Sequence, residues 1–128
     1  MKYLHTMVRV SDLEESLRFY RDALGLEVLR SQDVPQGRFT LVYLAAPGDA
    51  HAQVELTYNW DEHAYTGGRN MGHLAYQVDN IYATCERLQA HGVTVVRPPR
   101  DGFMAFVRSP DGISVELLQQ GAPLPPQS

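Results

Sequence analysis

The chain has one cysteine and one tryptophan among 128 residues, with no run of basic residues and no long apolar run. Each shortage removes a class of protein. A lone thiol, Cys85, cannot close an internal disulfide, which excludes a small disulfide-stapled scaffold and fits a packed thiol in a reducing compartment. No segment approaches the roughly 20 apolar residues that cross a bilayer, and the amino terminus lacks the apolar stretch of a secretory leader, so a cytoplasmic protein is expected. The net charge of -4 and pI near 5.6, without a basic patch, leave no electrostatic footprint for nucleic acid or an anionic membrane. What remains is a chain of single-domain length whose 44% hydrophobic content can build a core. Its partner is expected to be a small molecule.

The chain is written twice. Residues 4–30 read LHTMVRVSDLEESLRFYRDALGLEVLR and residues 72–97 read GHLAYQVDNIYATCERLQAHGVTVVR, with His aligned on His and a glycine ending each middle segment. The later parts also match: LVYLAAPGDAHAQVEL at 41–56 and AFVRSPDGISVEL at 105–117 each end in Val-Glu-Leu around a Pro/Gly/Asp turn. Strand, helix and three further strands, repeated, define an α+β chain of two βαβββ modules, about 1–58 and 72–120. Residues 59–71 link them. A tail over 121–128, with Pro123, Pro125 and Pro126, cannot continue a strand and is expected to be mobile.

Local signals support the two helices. Ser11 with Glu14 has capping-box spacing, Leu13, Leu17, Tyr20 and Leu24 form an apolar stripe, and Gly25 is placed to terminate the helix. In the second module Asp79 or Asn80 can cap, Ile81, Cys85 and Leu88 form the stripe, and Gly92 stops it.

Strand alternation then sorts the polar residues. His5, Met7 and Arg9 share one face of the first strand, and Gln53, Glu55, Thr57 and Asn59 share one face of the strand at 53–59. A polar strand face ordinarily meets water, and a single Glu or His there carries no functional meaning. His51, His63 and His91 accordingly receive no role. Four positions differ because the repeat doubles them. His5 and His73 occupy the first strand of each module, and Glu55 and Glu116 the last. Two imidazoles and two carboxylates, brought together by pseudo-twofold packing, make a nitrogen and oxygen donor set for one divalent metal. Without thiolates such a set leaves room for water or substrate, which favours a catalytic ion over a closed structural zinc.

The segments LHTMVRVSDLEESLRFYRDALGL, VELTYNW, GHLAYQVDN and AFVRSPDGISVEL together resemble glyoxalase I of the vicinal oxygen chelate superfamily, over nearly the whole chain. ELTYNW is the most specific of them. The resemblance implies open, barrel-like sheets completed in a homodimer, with His5 and Glu55 of one subunit facing His73 and Glu116 of the other. It implies these four as metal ligands, Glu116 as the base, and Arg9, Asn59 and Arg69 as contacts to the glutathionyl part of the substrate. The implied reaction converts the methylglyoxal–glutathione hemithioacetal to S-D-lactoylglutathione. Members with His at the first ligand position and a compact chain prefer nickel or cobalt, so Ni2+ is expected first, with Co2+ or Zn2+ as alternatives. The short PPRDGFM segment at 98–104 resembles that of members accepting trypanothione, which opens the thiol to glutathione or trypanothione. Two rival readings share the scaffold: an extradiol dioxygenase, which would leave one of the four ligands surplus, and a metal-free binding module, which need not keep all four.

Overall fold

The two repeats fold as two units in a computed structural model that describes residues 1–127, the division falling between Thr66 and Gly67. The first unit runs β1 (His5–Arg9), α1 (Leu13–Leu17), a π-helical segment (Arg18–Ala23), β2 (Glu27–Val34), β3 (Phe39–Ala45) and β4 (Gln53–Asn59). The second runs β5 (His73–Val78), α2 (Ile81–Ala90), β6 (Val95–Arg97), β7 (Met104–Arg108) and β8 (Ser114–Gln119). Each unit has one open four-stranded sheet, ordered β1-β4-β3-β2 and β5-β8-β7-β6. In each, the first strand pairs parallel with the last and the other pairings are antiparallel. The βαβββ repeat therefore holds at the level of strand order and direction.

Apolar residues of alternate parity build the two cores. Val8, Val10, Val42, Leu44, Val54 and Leu56 are buried in the first unit with Phe19, Tyr20 and Ala23 of the helical segment. In the second unit Ala105, Val107, Val115 and Leu117 are buried with Ile81, Cys85 and Leu88 of α2, which contacts β6, β7 and β8. One face of each sheet is thereby committed to its core, and the opposite parity points the polar residues away from it.

Asn80 caps α2 by accepting the Ala83 N–H at 3.1 Å, and the residues expected on its apolar stripe are all buried. In α1 the cap is Asp12, not Ser11. Asp12 is the last extended residue (φ -140°, ψ 111°) and its carboxylate accepts the Glu15 N–H at 3.0 Å, so the box shifts by one residue. The expected stripe also shifts. From Arg18 the helix widens, with the Leu24 N–H donating to the Phe19 carbonyl five residues back at 2.8 Å. This wider turn buries Phe19, Tyr20 and Ala23 beside Ser16 of α1, while Leu13, Leu17 and Leu24 stay half-exposed. Gly25 and Gly92 end the two helices at φ 92° and 82°, a region open to glycine.

A buried glutamine ties β8 to the start of α2. Gln119 accepts the Ile81 N–H at 2.8 Å and donates to the Asp79 carbonyl at 2.7 Å, satisfying one backbone group that the helix start leaves without an internal partner. The proline-bearing tail, expected to be mobile, is held to its own unit at two points: the Leu124 N–H donates to Gly102 O and the Tyr82 hydroxyl to Pro125 O, both at 2.9 Å. Leu124 lies between prolines yet keeps an N–H to donate. Ser128, the last residue of that expected tail, lies outside the described residues.

Candidate metal centre

Strand register determines which side chains meet on the polar faces. Glu55 of β4 stands opposite Met7 of β1, and His5 stands opposite Gln53, so the imidazole reaches diagonally to the carboxylate. His5 Nε2 lies 3.4 Å from Glu55 Oε2. The second unit repeats this diagonal: Glu116 is opposite Ala75, His73 is opposite Ser114, and His73 Nε2 lies 3.3 Å from Glu116 Oε1.

The fit of these pairs to a metal can be judged from the donor chemistry and spacing. Two ligands held about 2.1 Å from one ion at tetrahedral or octahedral angles stand roughly 3.0–3.4 Å apart. Both His–Glu gaps match that spacing. The carboxylates are largely shielded, with 11% and 16% of their side-chain surface exposed, whereas His5 and His73 keep 30% and 45%. Among the described residues neither carboxylate has an Arg or Lys ion pair. A shielded anion beside an accessible imidazole nitrogen suits an added cation. Among the described residues, however, no group of three or more His, Cys, Asp or Glu side chains forms a metal-sized cluster. Each unit supplies two donors, which is half of the expected set.

The two pairs differ in their aromatic neighbour. Tyr43 of β3 is in register with Glu55 and meets the His5 ring edge-on at 5.4 Å. Phe106 of β7 is in register with Glu116 and meets the His73 ring edge-on at 5.5 Å. The Tyr43 phenol is held above its usual pKa, first by its hydrogen bond to the Glu55 carboxylate and then by burial. Thr57 Oγ1 adds a long contact to Glu55 Oε1 at 3.4 Å. Neither aromatic was singled out from sequence. The available signal was the strand parity, which places Tyr43 and Phe106 beside the two carboxylates at matching places in the repeat.

The remaining expected residues are distributed as follows. Arg9 is exposed at the far end of β1, on the His5 face and about 13 Å along the strand. Asn59, at the end of β4, donates to the Tyr65 hydroxyl at 3.0 Å, and burial holds that phenol above its usual pKa. Tyr65 is thus held by Asn59 within the first unit, a residue that sequence reading missed because it lies outside any strand. Arg69 is exposed in a turn of the second unit. Trp60 donates its indole N–H to Thr40 Oγ1 at 2.9 Å, a structural contact. His63 and His91 each place Nδ1 near a backbone carbonyl, of Ser11 and Arg87 respectively.

Comparison with known proteins follows the same lines. Residues 2–117 match the Glyoxalase/Bleomycin resistance protein/Dioxygenase superfamily. The lactoylglutathione lyase of Haemophilus influenzae is 44% identical over 125 residues, covering 93% of each chain. That of Neisseria meningitidis serogroup A is 44% identical over 126 residues, covering 94% of this chain and 91% of its own. Among solved structures, the trypanothione-dependent glyoxalase I of Leishmania major superposes with a TM-score of 0.86 at 40% identity, covering 93% of this chain and 86% of the other.

Proposed function

The chain belongs to the Glyoxalase/Bleomycin resistance protein/Dioxygenase superfamily, and from that membership we propose that it is a lactoylglutathione lyase, isomerising the methylglyoxal–glutathione hemithioacetal to S-D-lactoylglutathione. The observation that carries the reading is the His–Glu pair made twice, at 3.4 Å and 3.3 Å, by the same diagonal of the same strand pairing. The lyases of two bacteria at 44% identity support it.

In this reading His5, Glu55, His73 and Glu116 hold one divalent ion, with His5 and Glu55 drawn from one subunit of a homodimer and His73 and Glu116 from the other. A bound divalent ion supplies Lewis-acid stabilisation of negative charge developing beside the substrate carbonyl. The proton chemistry belongs to the protein. Glu116 takes the proton from one substrate carbon and returns it to the neighbouring carbon, so a single carboxylate performs both transfers and no redox partner is needed. Arg9, Asn59 and Arg69 bind the peptide arm. Its carboxylates suit the two guanidinium groups, and an offset of about 13 Å from His5 along β1 suits an extended tripeptide better than contact with the reacting carbons.

Nickel is the preferred ion in this reading, with cobalt and zinc as alternatives, because a nitrogen and oxygen donor set accepts all three. Glutathione is the preferred thiol, with trypanothione the alternative suggested by the short 98–104 loop and by the Leishmania major relative. No helix among the described residues is long and apolar enough to cross a membrane. Cys85 is buried and its thiol is pushed up in pKa by that burial, which keeps it unreactive and fits cytoplasmic work beside free thiols.

The test is thioester formation from methylglyoxal and thiol. Protein stripped with chelator is titrated with Ni2+, Co2+ and Zn2+, each with glutathione and with trypanothione. Metal-dependent growth of thioester absorbance is expected; none with any metal and either thiol rejects the lyase reading.

A further inference from the structure

The halves match at His and at Glu but not at the aromatic residue between them. Tyr43 and Phe106 occupy the same place: each is directly opposite its carboxylate across the antiparallel pair, and each meets its histidine edge-on at nearly the same distance. They differ by one hydroxyl. In the first unit the β3–β4 register sets the ring that carries it directly across from Glu55, on the side where it also meets His5. The ring carrying it is itself fixed, because the Arg30 guanidinium lies 3.7 Å from the ring centroid and also donates to Gln53 Oε1 at 3.3 Å. Arg30 is opposite Tyr43 in the β2–β3 register. In the second unit Arg97 is opposite Phe106, but it donates to the Met104 carbonyl at 2.9 Å and pairs with Asp101 at 3.6 Å. The Phe106 ring presents no donor to Glu116.

We propose that Tyr43 is a positioning residue that pins Glu55 as a fixed ligand, and that Phe106 at the equivalent place leaves Glu116 free to turn from ligand to proton carrier. This rests on the lyase reading. A carboxylate that must move to reach a substrate carbon is hindered by each hydrogen bond it would have to break, and a donor built on a clamped ring is the kind that hinders most. The two His–Glu pairs are thereby made unequal by one oxygen atom, in a chain whose two halves otherwise present the same ligand types.

Two reciprocal substitutions test it, with Co2+ as the probe. Tyr43→Phe is expected to weaken Co2+ binding about tenfold, the loss of one charge-assisted hydrogen bond, and to change the visible absorption bands of the bound cobalt. Phe106→Tyr places a hydroxyl beside Glu116. It is expected to tighten Co2+ binding and to lower kcat about tenfold at saturating metal with little change in KM, the pattern for an interaction lost in the transition state. Wild-type cobalt affinity and spectrum in Tyr43→Phe would overturn the proposal, as would wild-type kcat in Phe106→Tyr. The cobalt measurements need no turnover, so a wild-type protein that binds Co2+ yet forms no thioester refutes the lyase reading while the Tyr43 assignment is still decided by affinity.

Discussion

His73 Nε2 lies 3.3 Å from Glu116 Oε1 although the two residues are not opposite one another: Glu116 faces Ala75 across the β5–β8 pair, and His73 faces Ser114. The contact therefore depends on register. A slip of one residue would turn either side chain to the core face, where Leu117 and Val115 now lie. His5 and Glu55 depend on the β1–β4 register in the same way, with Val54 and Leu56 as the buried neighbours. Burial of those neighbours stabilises each sheet by roughly 1.5–3 kcal/mol per side chain and so holds the donor pairs in place.

Glu116→Gln keeps the shape and one oxygen donor while removing the basic site. We expect a fall in kcat of about 10²–10⁴-fold, with an unchanged circular dichroism spectrum and measurable metal uptake by calorimetry. A metal-loaded variant turning over at the wild-type rate would exclude Glu116 as the proton carrier.

The proposed subunit sharing makes a complementation prediction. His5→Ala and Glu116→Gln should each be inactive as homodimers. After subunits are exchanged by mild denaturation and refolding, a mixed dimer has one site carrying both changes and one site carrying neither. Random mixing should then restore about a quarter of wild-type sites. Sites completed within a single chain would give no recovery at any mixing ratio.

The donor pairs were legible in the sequence because the repeat doubled them and strand alternation assigned their face. The bounds of β4 and the buried stripe of α2 were equally legible, since periodicity and Asn80 agree there. The first helix was less so. Ser11 and Asp12 both have cap chemistry, and backbone conformation chose between them. The π-helical turn at Arg18–Ala23 follows from which of Leu17, Phe19, Tyr20 and Ala23 the core accepts, a tertiary outcome that local pattern does not encode. Tyr43 was hidden for another reason: an aromatic on a strand ordinarily reads as packing, and only the register across β3 and β4 puts it directly opposite Glu55.

Gly102 supplies a stability prediction. It sits at φ 70°, and a Cβ there would come 2.1 Å from the Leu124 carbonyl oxygen, a backbone atom fixed by the hydrogen bond from Leu124 N–H to Gly102 O. Gly102→Ala should therefore strain its own backbone and break the tether of the tail, costing about 1–3 kcal/mol and lowering Tm by several degrees. Gly112→Ala, also at positive φ (83°) but with open space around its Cβ position, isolates the backbone part of the cost and should be milder. Equal Tm values for the two variants would show that the contact with the tail contributes nothing.

The same loop predicts a pH dependence. Asp101 Oδ1 accepts the Phe103 N–H at 2.9 Å and the Met104 N–H at 3.1 Å, and these two bonds, with smaller help from Arg97, hold its carboxyl below the ordinary value of 3.8. A folded-state pKa lower than the unfolded one means that the unfolded chain binds the proton first as pH falls. The stabilisation from Asp101 is thus fully present above the unfolded value and is lost as pH drops through the lower, folded one. Asp101→Asn can keep an acceptor oxygen but cannot titrate. The difference in Tm between wild type and this variant should be constant from neutral pH down to the ordinary carboxylate range and should shrink below it. Thermal melts across that range check the sign: a difference that grows as the solution becomes more acidic would mean that the carboxylate is not stabilised by the loop that surrounds it.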